Sequence, residues 1–146
     1  MSQQNVELVR SISQPLQGVD VSAFDWDAKE VREVLGNAYS PDLELRTLES
    51  GAGTGLDAVY RGLEGLAEYL RGWLEPFSEY HMEFLDYVED GDRVLVPIRA
   101  WGVGKGSGAR AEIELTMAYE VQDGKIARIV QYDTIQQARE AAALED

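Results

Sequence analysis

The sequence RAEIELTMAYEVQDGKIARIVQY, residues 110–132, decides the fold class that we predict for this chain. From Ile113 to Val121 every odd position is apolar, and most residues between them are charged or polar. Because successive side chains of a β-strand point to opposite faces of a sheet, this alternation predicts a half-buried strand. Asp123-Gly124 then gives a strong signal for a two-residue hairpin with positive φ at both positions. We therefore predict two neighbouring antiparallel strands, residues 108–122 and 125–132.

The alternation continues upstream of this hairpin. Residues 80–88 and 93–103 have the same two-residue period, and Asp90-Gly91-Asp92 between them is a second hairpin signal. We expect four strands in an antiparallel meander, with residues 102–108, GVGKGSG, as a bulged hairpin tip. The inner face should carry the even positions from Val94 to Ala100 together with the odd positions of the next strand.

Apolar residues at steps of three and four indicate helices elsewhere in the chain. Residues 42–48 alternate instead like a further strand. Helices that precede a long meander are typical of an α+β fold in which the helices cover one face of the sheet. No linker or repeat interrupts residues 1–146, so we predict a single domain. The segments with helical spacing are residues 2–16, 25–35, 63–74 and 134–144.

The composition excludes several functions. The 146 residues include 13 Lys and Arg against 27 Asp and Glu, a formal charge of −14. Because binding to phosphates needs clustered basic residues, we expect neither nucleic acid nor an anionic membrane surface as a partner. The sequence has no Cys, which excludes disulfides and thiolate sites, and no apolar run of the about 20 residues that cross a bilayer. We predict a cytoplasmic protein.

Two glycine-rich stretches match nucleotide-binding motifs only in part. Residues 53–58, GTGLDA, fit a dinucleotide fingerprint, but that fingerprint functions in a parallel βαβ unit, and this chain continues into an antiparallel meander. We interpret residues 50–55 as a flexible loop. Residues 102–108 lack the first Gly and the final Ser or Thr of a P-loop. His81 is the only histidine, and the acidic residues after it match no calcium loop, so we predict no metal site and no cofactor.

Aromatic and apolar side chains of both layers predict a ligand-binding cavity between them. A curved sheet covered by helices can leave such a cavity, and an apolar pocket with few polar groups is the usual small-molecule site. A filled core is the alternative, because burial of these side chains stabilises the fold with or without a ligand. The side chains that we predict to contact a ligand are Trp26, Tyr39, Leu45, Tyr69, Trp73, Ile98, Ile113, Leu115, Met117 and Ile129.

The opposite face of the sheet carries a stripe of mixed polarity. By parity, Leu95, Pro97, Arg99 and Trp101 point away from the helices. An apolar stripe on a charged sheet is typical of an interface, and a symmetric homodimer is the commonest case. The alternative is a set of isolated surface hydrophobic residues, which are normal in monomers.

Several short segments together resemble a known family. They are residues 2–10, SQQNVELVR; 60–65, YRGLEG; 91–96, GDRVLV; 106–108, GSG; 123–126, DGKI, with Arg128 and Tyr132; and the tail Glu140-Ala141. In this order and spacing the chain is similar to SnoaL-like proteins of the nuclear transport factor 2-like superfamily. The resemblance implies a cone-shaped α+β fold, with N-terminal helices on a strongly curved, mostly antiparallel sheet around a deep pocket. It also implies frequent homodimers packed sheet to sheet.

The resemblance does not determine the chemistry. Relatives include polyketide cyclases, ketosteroid isomerases, epoxide hydrolases, dehydratases and proteins with no known reaction. Gln131 stands where the cyclases and epoxide hydrolases have an Asp that acts as acid or base, and Gln cannot exchange a proton near neutral pH. The assisting Arg and Asp of the epoxide hydrolases are matched by Ile98 and Ala100. Asp133 could act as the acid or base instead, with Tyr119 and Gln131 holding a carbonyl or hydroxyl oxygen.

Two functions follow from these observations. The first is a homodimeric pocket protein that binds a small, mostly apolar molecule. If it catalyses a reaction, we expect isomerase, cyclase or hydratase chemistry by proton transfer, without a metal or an organic cofactor. The second is a non-catalytic module for dimerisation or for docking a partner protein. An open cavity between helices and sheet favours the first function, and a solid interior favours the second.

Overall fold

The computed structural model describes residues 2–23, 25–26, 28–47 and 58–145. Within these ranges the chain forms four α-helices, two short 3₁₀ helices and seven β-strands. The helices are α1 (Ser2–Ser13), α2 (Lys29–Ala38), α3 (Gly62–Leu74) and α4 (Ile135–Glu145), and the 3₁₀ helices cover Gln14–Leu16 and Val21–Ala23. The strands are β1 (Tyr39–Thr47), β2 (Ala58–Arg61), β3 (Phe77–Phe84), β4 (Val88–Asp90), β5 (Arg93–Gly104), β6 (Arg110–Gln122) and β7 (Lys125–Tyr132).

The seven strands form one mixed sheet in the order β2-β1-β7-β6-β5-β3, with β4 also paired to β5. Every pairing is antiparallel except that of β1 with β7, which is parallel. Side chains of α1 and α3 pack on one face of this sheet in the largest buried cluster. The prediction of an α+β fold, with helices on a curved and mostly antiparallel sheet, is confirmed.

The two predicted hairpins differ in turn geometry. Between β6 and β7 both loop residues have positive φ, 54° at Asp123 and 77° at Gly124, as the Asp-Gly signal predicts. Between β4 and β5 the loop is Gly91-Asp92, and only Gly91 has positive φ. Glycine at the first loop position is typical of the type II′ turn, the other turn that two-residue hairpins favour. The strands are therefore connected as predicted, but the expected positive φ at both positions is wrong for the Gly91 turn.

The inner face of the sheet follows the predicted parity. Val94 pairs with Tyr119 and Val96 pairs with Met117, and all four side chains belong to the main buried cluster. On β7, Ile129 lies opposite Tyr119 and extends the same face. This face, on which α1 and α3 pack, is the one that can enclose a site.

The outer face of the sheet is partly covered. α4 packs against it, and Leu95, which we predicted at a dimer interface, is fully buried in a cluster with Ala138 of that helix. Pro97 and Trp101 remain half-buried, and Arg99 is exposed. The prediction that Leu95 is exposed is wrong, because strand parity shows which face a side chain is on but not which element packs there.

Smaller differences concern the edges of the sheet. β2 was not predicted, and α2 begins and ends about one turn later than the predicted helix. The loop that we predicted at residues 50–55 lies outside the described residues. Residues 53–57 of the dinucleotide-like glycine motif also lie outside them. No helix in the described part of the chain has the length and apolarity needed to cross a bilayer.

Candidate functional site

A cavity of about 390 Å³ lies between the helices and the inner face of the sheet. Protein interiors leave few voids larger than a water molecule, so this volume is much greater than an ordinary packing defect. Side chains of five strands form one side of the cavity, and those of α1, α2, α3 and the 3₁₀ segments form the other. The strand residues that line it are Tyr39, Leu45, Tyr80, Met82, Phe84, Ile98, Leu115, Met117, Tyr119 and Ile129.

Aromatic rings form a continuous wall of the cavity. Tyr69 and Trp73 lie one turn apart on α3, and their rings stack with centroids 6.2 Å apart. The ring of Trp73 then meets Tyr80 of β3 edge to face at 6.4 Å. Such contacts stabilise this arrangement of the rings.

Gly102 on β5 makes room for this wall. Gly102 pairs with Tyr80 across the β3–β5 ladder. A Cβ atom at position 102 would lie 2.5 Å from a ring carbon of Phe77 and 2.9 Å from one of Tyr80. The missing side chain therefore allows two aromatic rings to pack directly against the strand.

Tyrosine hydroxyls supply the polar groups inside the cavity. Burial raises the pKa of Tyr39 and of Tyr119 well above the ordinary tyrosine value, and a neighbouring tyrosine adds to each shift. Both hydroxyls are therefore protonated at neutral pH and can donate a hydrogen bond. Burial also raises the pKa of Tyr69, whose hydroxyl donates to Oε1 of Gln131 at 2.7 Å. In the described ranges, no protein group accepts a hydrogen bond from the hydroxyl of Tyr39 or Tyr119.

The mouth of the cavity lies between α1 and α2. Four lining residues are exposed to solvent: Ser11 and Pro15 at the end of α1 and just after it, and Glu30 and Val34 on α2. Val34 exposes 61% of its surface although it is apolar. The other described lining residues are buried or half-buried, so the cavity is most accessible to solvent on this side.

The segment between α1 and α2 is held against β3. One carboxylate oxygen of Asp20 accepts hydrogen bonds from the backbone N–H of Tyr80 at 3.0 Å and from the hydroxyl of Ser22 at 2.6 Å. The bond from Ser22 is the main cause that lowers the pKa of Asp20. Gln17 accepts a further bond from the backbone N–H of Phe84 at 3.2 Å. These bonds hold the described residues around Val21 against β3, and both Val21 and Trp26 line the cavity.

The structure brings most of the predicted ligand-contacting residues together. All of them except Ile113 line the cavity. Ile113 packs instead in the adjoining cluster around Trp26 and Tyr80. Tyr119 lines the cavity. Gln131 accepts a hydrogen bond from Tyr69, which is itself a lining residue. Their roles in binding stay predictions.

Asp133 lies apart from the cavity lining. β7 ends at Tyr132, and the backbone N–H of Asp133 donates to Oε1 of Gln137 on α4 at 3.0 Å. Thr134 accepts a hydrogen bond from the backbone N–H of Gln137, so the chain is already entering the helix at this point. The role of Asp133 as acid or base stays a prediction. Its position outside the cavity lining does not favour that role.

Sequence analysis did not name several residues of the cavity lining, and Tyr80 and Glu30 are two that matter for the site. Tyr80 was placed at the first position of its strand, whereas β3 begins at Phe77 and Tyr80 points inward with Met82 and Phe84. The even parity of these three apolar residues was the available signal. Glu30 was missed because nothing local to α2 indicates that the first turn of that helix borders a cavity.

His81 lies on the outer face of the sheet, opposite Trp101. Its ring stacks on Trp101 at 4.2 Å, and its Nε2 atom lies 2.8 Å from a carboxylate oxygen of Glu79. The guanidinium of Arg110 lies 4.3 Å from the centre of the Trp101 ring. Within the described residues, no group of three or more His, Asp and Glu side chains is arranged to hold a metal ion.

Comparisons with known proteins agree with this architecture. The SnoaL-like domain family matches residues 22–129 of the sequence. No protein among those with curated descriptions matches it significantly. Many solved structures match this chain, and the three described below are at most 20% identical to it, which shows the fold alone.

Three of these structures illustrate the range. TerC, co-crystallised with polyporic acid, is 20% identical with a TM-score of 0.65, and the match covers 94% of this chain and 96% of TerC. A putative SnoaL-like polyketide cyclase from Jannaschia sp. CCS1 is 18% identical with a TM-score of 0.64, covering 96% of this chain and 92% of that one. A hypothetical protein with a ketosteroid isomerase-like fold from Catenulispora acidiphila DSM 44928, in complex with trimethylamine, is 16% identical with a TM-score of 0.62. The match covers 88% of this chain and 86% of that one.

Proposed function

Because the chain belongs to the SnoaL-like domain family, we propose that it is a pocket protein whose cavity binds one small, mostly apolar molecule. The observation that carries this proposal is the cavity of about 390 Å³, whose size is in the range of small-molecule sites. Its lining is apolar or aromatic apart from two serines and one glutamate. A ligand that fills it removes apolar surface from water on both partners, which provides the free energy of binding.

The tyrosines are proposed to orient this ligand. Tyr39 and Tyr119 line the cavity and their hydroxyls are protonated at neutral pH, so they suit a carbonyl or hydroxyl oxygen on an otherwise apolar molecule. The hydrogen-bonded side chains of Tyr69 and Gln131 add a second polar group beside the cavity. A buried donor left without an acceptor is unfavourable, which favours ligands that carry such an oxygen.

A catalytic form of this function is an isomerase, cyclase or hydratase type of proton transfer without a cofactor. Tyr119 would polarise the ligand oxygen. Asp133, the acid or base that we predicted from sequence, does not line the cavity, so it is the less supported part of this catalytic form. Asp133→Asn should then abolish turnover of an enolisable substrate with little change in the melting temperature. Full activity in that variant would remove Asp133 from the proposal and leave the binding function intact.

The proposed binding is tested with a neutral apolar fluorescent probe, N-phenyl-1-naphthylamine. We expect the protein to bind the probe with enhanced fluorescence, and we expect Leu115→Trp to abolish binding because the larger ring fills the cavity. Leu85→Trp is the matched control, since Leu85 is 44% exposed and does not line the cavity. Binding that persists in a folded Leu115→Trp variant would contradict the proposal.

We also propose a homodimer through the part of the outer face that α4 leaves open. There Arg99 pairs with Glu114 at 3.4 Å and Arg110 with Glu112 at 3.3 Å, around the half-buried ring of Trp101. A face that alternates both signs of charge around an aromatic centre can complement a second copy of itself across a two-fold axis. A non-catalytic dimerisation module without a ligand is the alternative, and the open cavity argues against it.

A further inference from the structure

One lining residue differs from all the others in charge. Among the described residues that line the cavity, Glu30 is the only one with an ionisable carboxylate or a basic group; the remainder are apolar, aromatic or serine. Glu30 lies in the first turn of α2 and is exposed at the mouth, one turn before Val34. The negative charge is therefore located where the outer end of a bound ligand would be.

Neighbouring cations do not neutralise Glu30. In the ranges that the structure describes, Glu30 forms no hydrogen bond or ion pair. Arg32 on the same helix pairs with Glu64 of α3, and Arg10 of α1 pairs with Glu7 at 2.7 Å. Lys29 precedes Glu30, but it does not line the cavity. A charged ligand at the mouth would therefore interact with the carboxylate of Glu30.

We propose that Glu30 selects ligands by the charge of the end that stays at the mouth, favouring a protonated amine over a carboxylate on the same apolar body. This inference rests on the proposed binding function and adds the chemical class of the ligand. An ionised group cannot enter the apolar interior without a large cost, so the charged end stays beside Glu30 while the body fills the cavity. Apolar walls around the mouth also concentrate the field of a single charge.

A structural role for Glu30 gives a different expectation. An acidic residue in the first turn stabilises a helix through its dipole, by about 0.3–1 kcal/mol. Loss of that contribution lowers the melting temperature and changes the affinity for every ligand in the same direction. Selection by charge instead changes the ranking of ligands that share one apolar body.

The test uses three probes of matched shape: phenylbutylamine, phenylbutanol and phenylbutyrate, titrated by calorimetry at neutral pH. For the native chain we expect the amine to bind best and the carboxylate worst. Their dissociation constants should differ about fivefold, because the exposed carboxylate of Glu30 attracts the first probe and repels the second. Glu30→Gln should remove this difference, with a smaller effect on the affinity for the neutral alcohol than on the affinities for the two charged probes. High salt should weaken the discrimination of the native chain.

Glu68→Gln is the matched control. Glu68 is exposed on α3 outside the lining, so this variant loses the same charge from a chain whose net charge is −14. We expect it to keep the native ranking. If Glu68→Gln removes the discrimination as well, or if Glu30→Gln retains it, the inference is wrong and the overall charge is the cause. Equal binding of all three probes by the native chain overturns the inference alone, whereas failure of the neutral alcohol to bind overturns the proposed function too.

Discussion

The side chain of Asp20 fixes local structure near the cavity. One of its carboxylate oxygens accepts hydrogen bonds from the backbone N–H groups of Ser22 and Tyr80, both at 3.0 Å, and from the hydroxyl of Ser22 at 2.6 Å. These bonds join the 3₁₀ helix at Val21–Ala23 to β3. They also favour the ionised carboxylate, which is why the pKa of Asp20 is lowered.

Asp20→Ala should lower the free energy of unfolding by about 1–3 kcal/mol, because two backbone donors lose their acceptor. Since the pKa of Asp20 is lower in the folded state than in the unfolded chain, its contribution is present above the unfolded value of about 4 and is lost as the pH falls below it. Urea unfolding at neutral and at acidic pH measures this. We expect the difference between native and variant chains to shrink in acid, and a constant difference would contradict the assignment.

At the scale of single elements, the contact of β3 with β5 depends on the absence of a side chain at Gly102. Gly102→Ala should destabilise the protein by about 1–3 kcal/mol, because the added Cβ overlaps the rings of Phe77 and Tyr80. Gly106→Ala is the control, since a Cβ there meets no atom within 4 Å. Thermal unfolding compares the two variants. Equal melting temperatures would show that the aromatic wall can shift at little cost.

The elements differ in how well the sequence predicts them. β5, β6 and β7 follow from alternation and from the Gly91 and Asp123-Gly124 turns, because these are local signals. The parallel pairing of β1 with β7 has no such signal, since it joins segments separated by most of the chain. The position of α4 was also missed, although apolar residues at outer positions such as Leu95 and Val130 were an available indication that something covers them.

In the candidate site, too, some features have a local signal in the sequence and others do not. The inward parity of Met117, Tyr119 and Ile129 was predictable from the strand pattern, and the structure places all three at the cavity. Asp133 has the same parity, but the strand ends one residue before it. Periodicity therefore predicts the facing of a side chain inside an element and fails at the end of that element.

At the scale of the whole molecule, the proposed homodimer makes one prediction. Trp101→Glu should dissociate it, because the substitution places a charge at the centre of the open part of the outer face. Sedimentation equilibrium at several protein concentrations measures the change in mass. Val34→Glu is the control, since Val34 is 61% exposed on α2, which lies on the other side of the sheet. A dimer that persists in Trp101→Glu would show that the copies associate elsewhere.

The parallel pairing of β1 with β7 has a consequence for how the protein is made. β1 ends at Thr47, and its partner strand begins at Lys125. During translation the edge of β1 that pairs with β7 stays unpaired until the chain has been synthesised through β7, although the other edge can already pair with β2. We expect ribosome-bound nascent chains that stop before Lys125 to be digested by protease at β1, and full-length released chains to resist. Such late closure is the kind of step at which a chaperone assists.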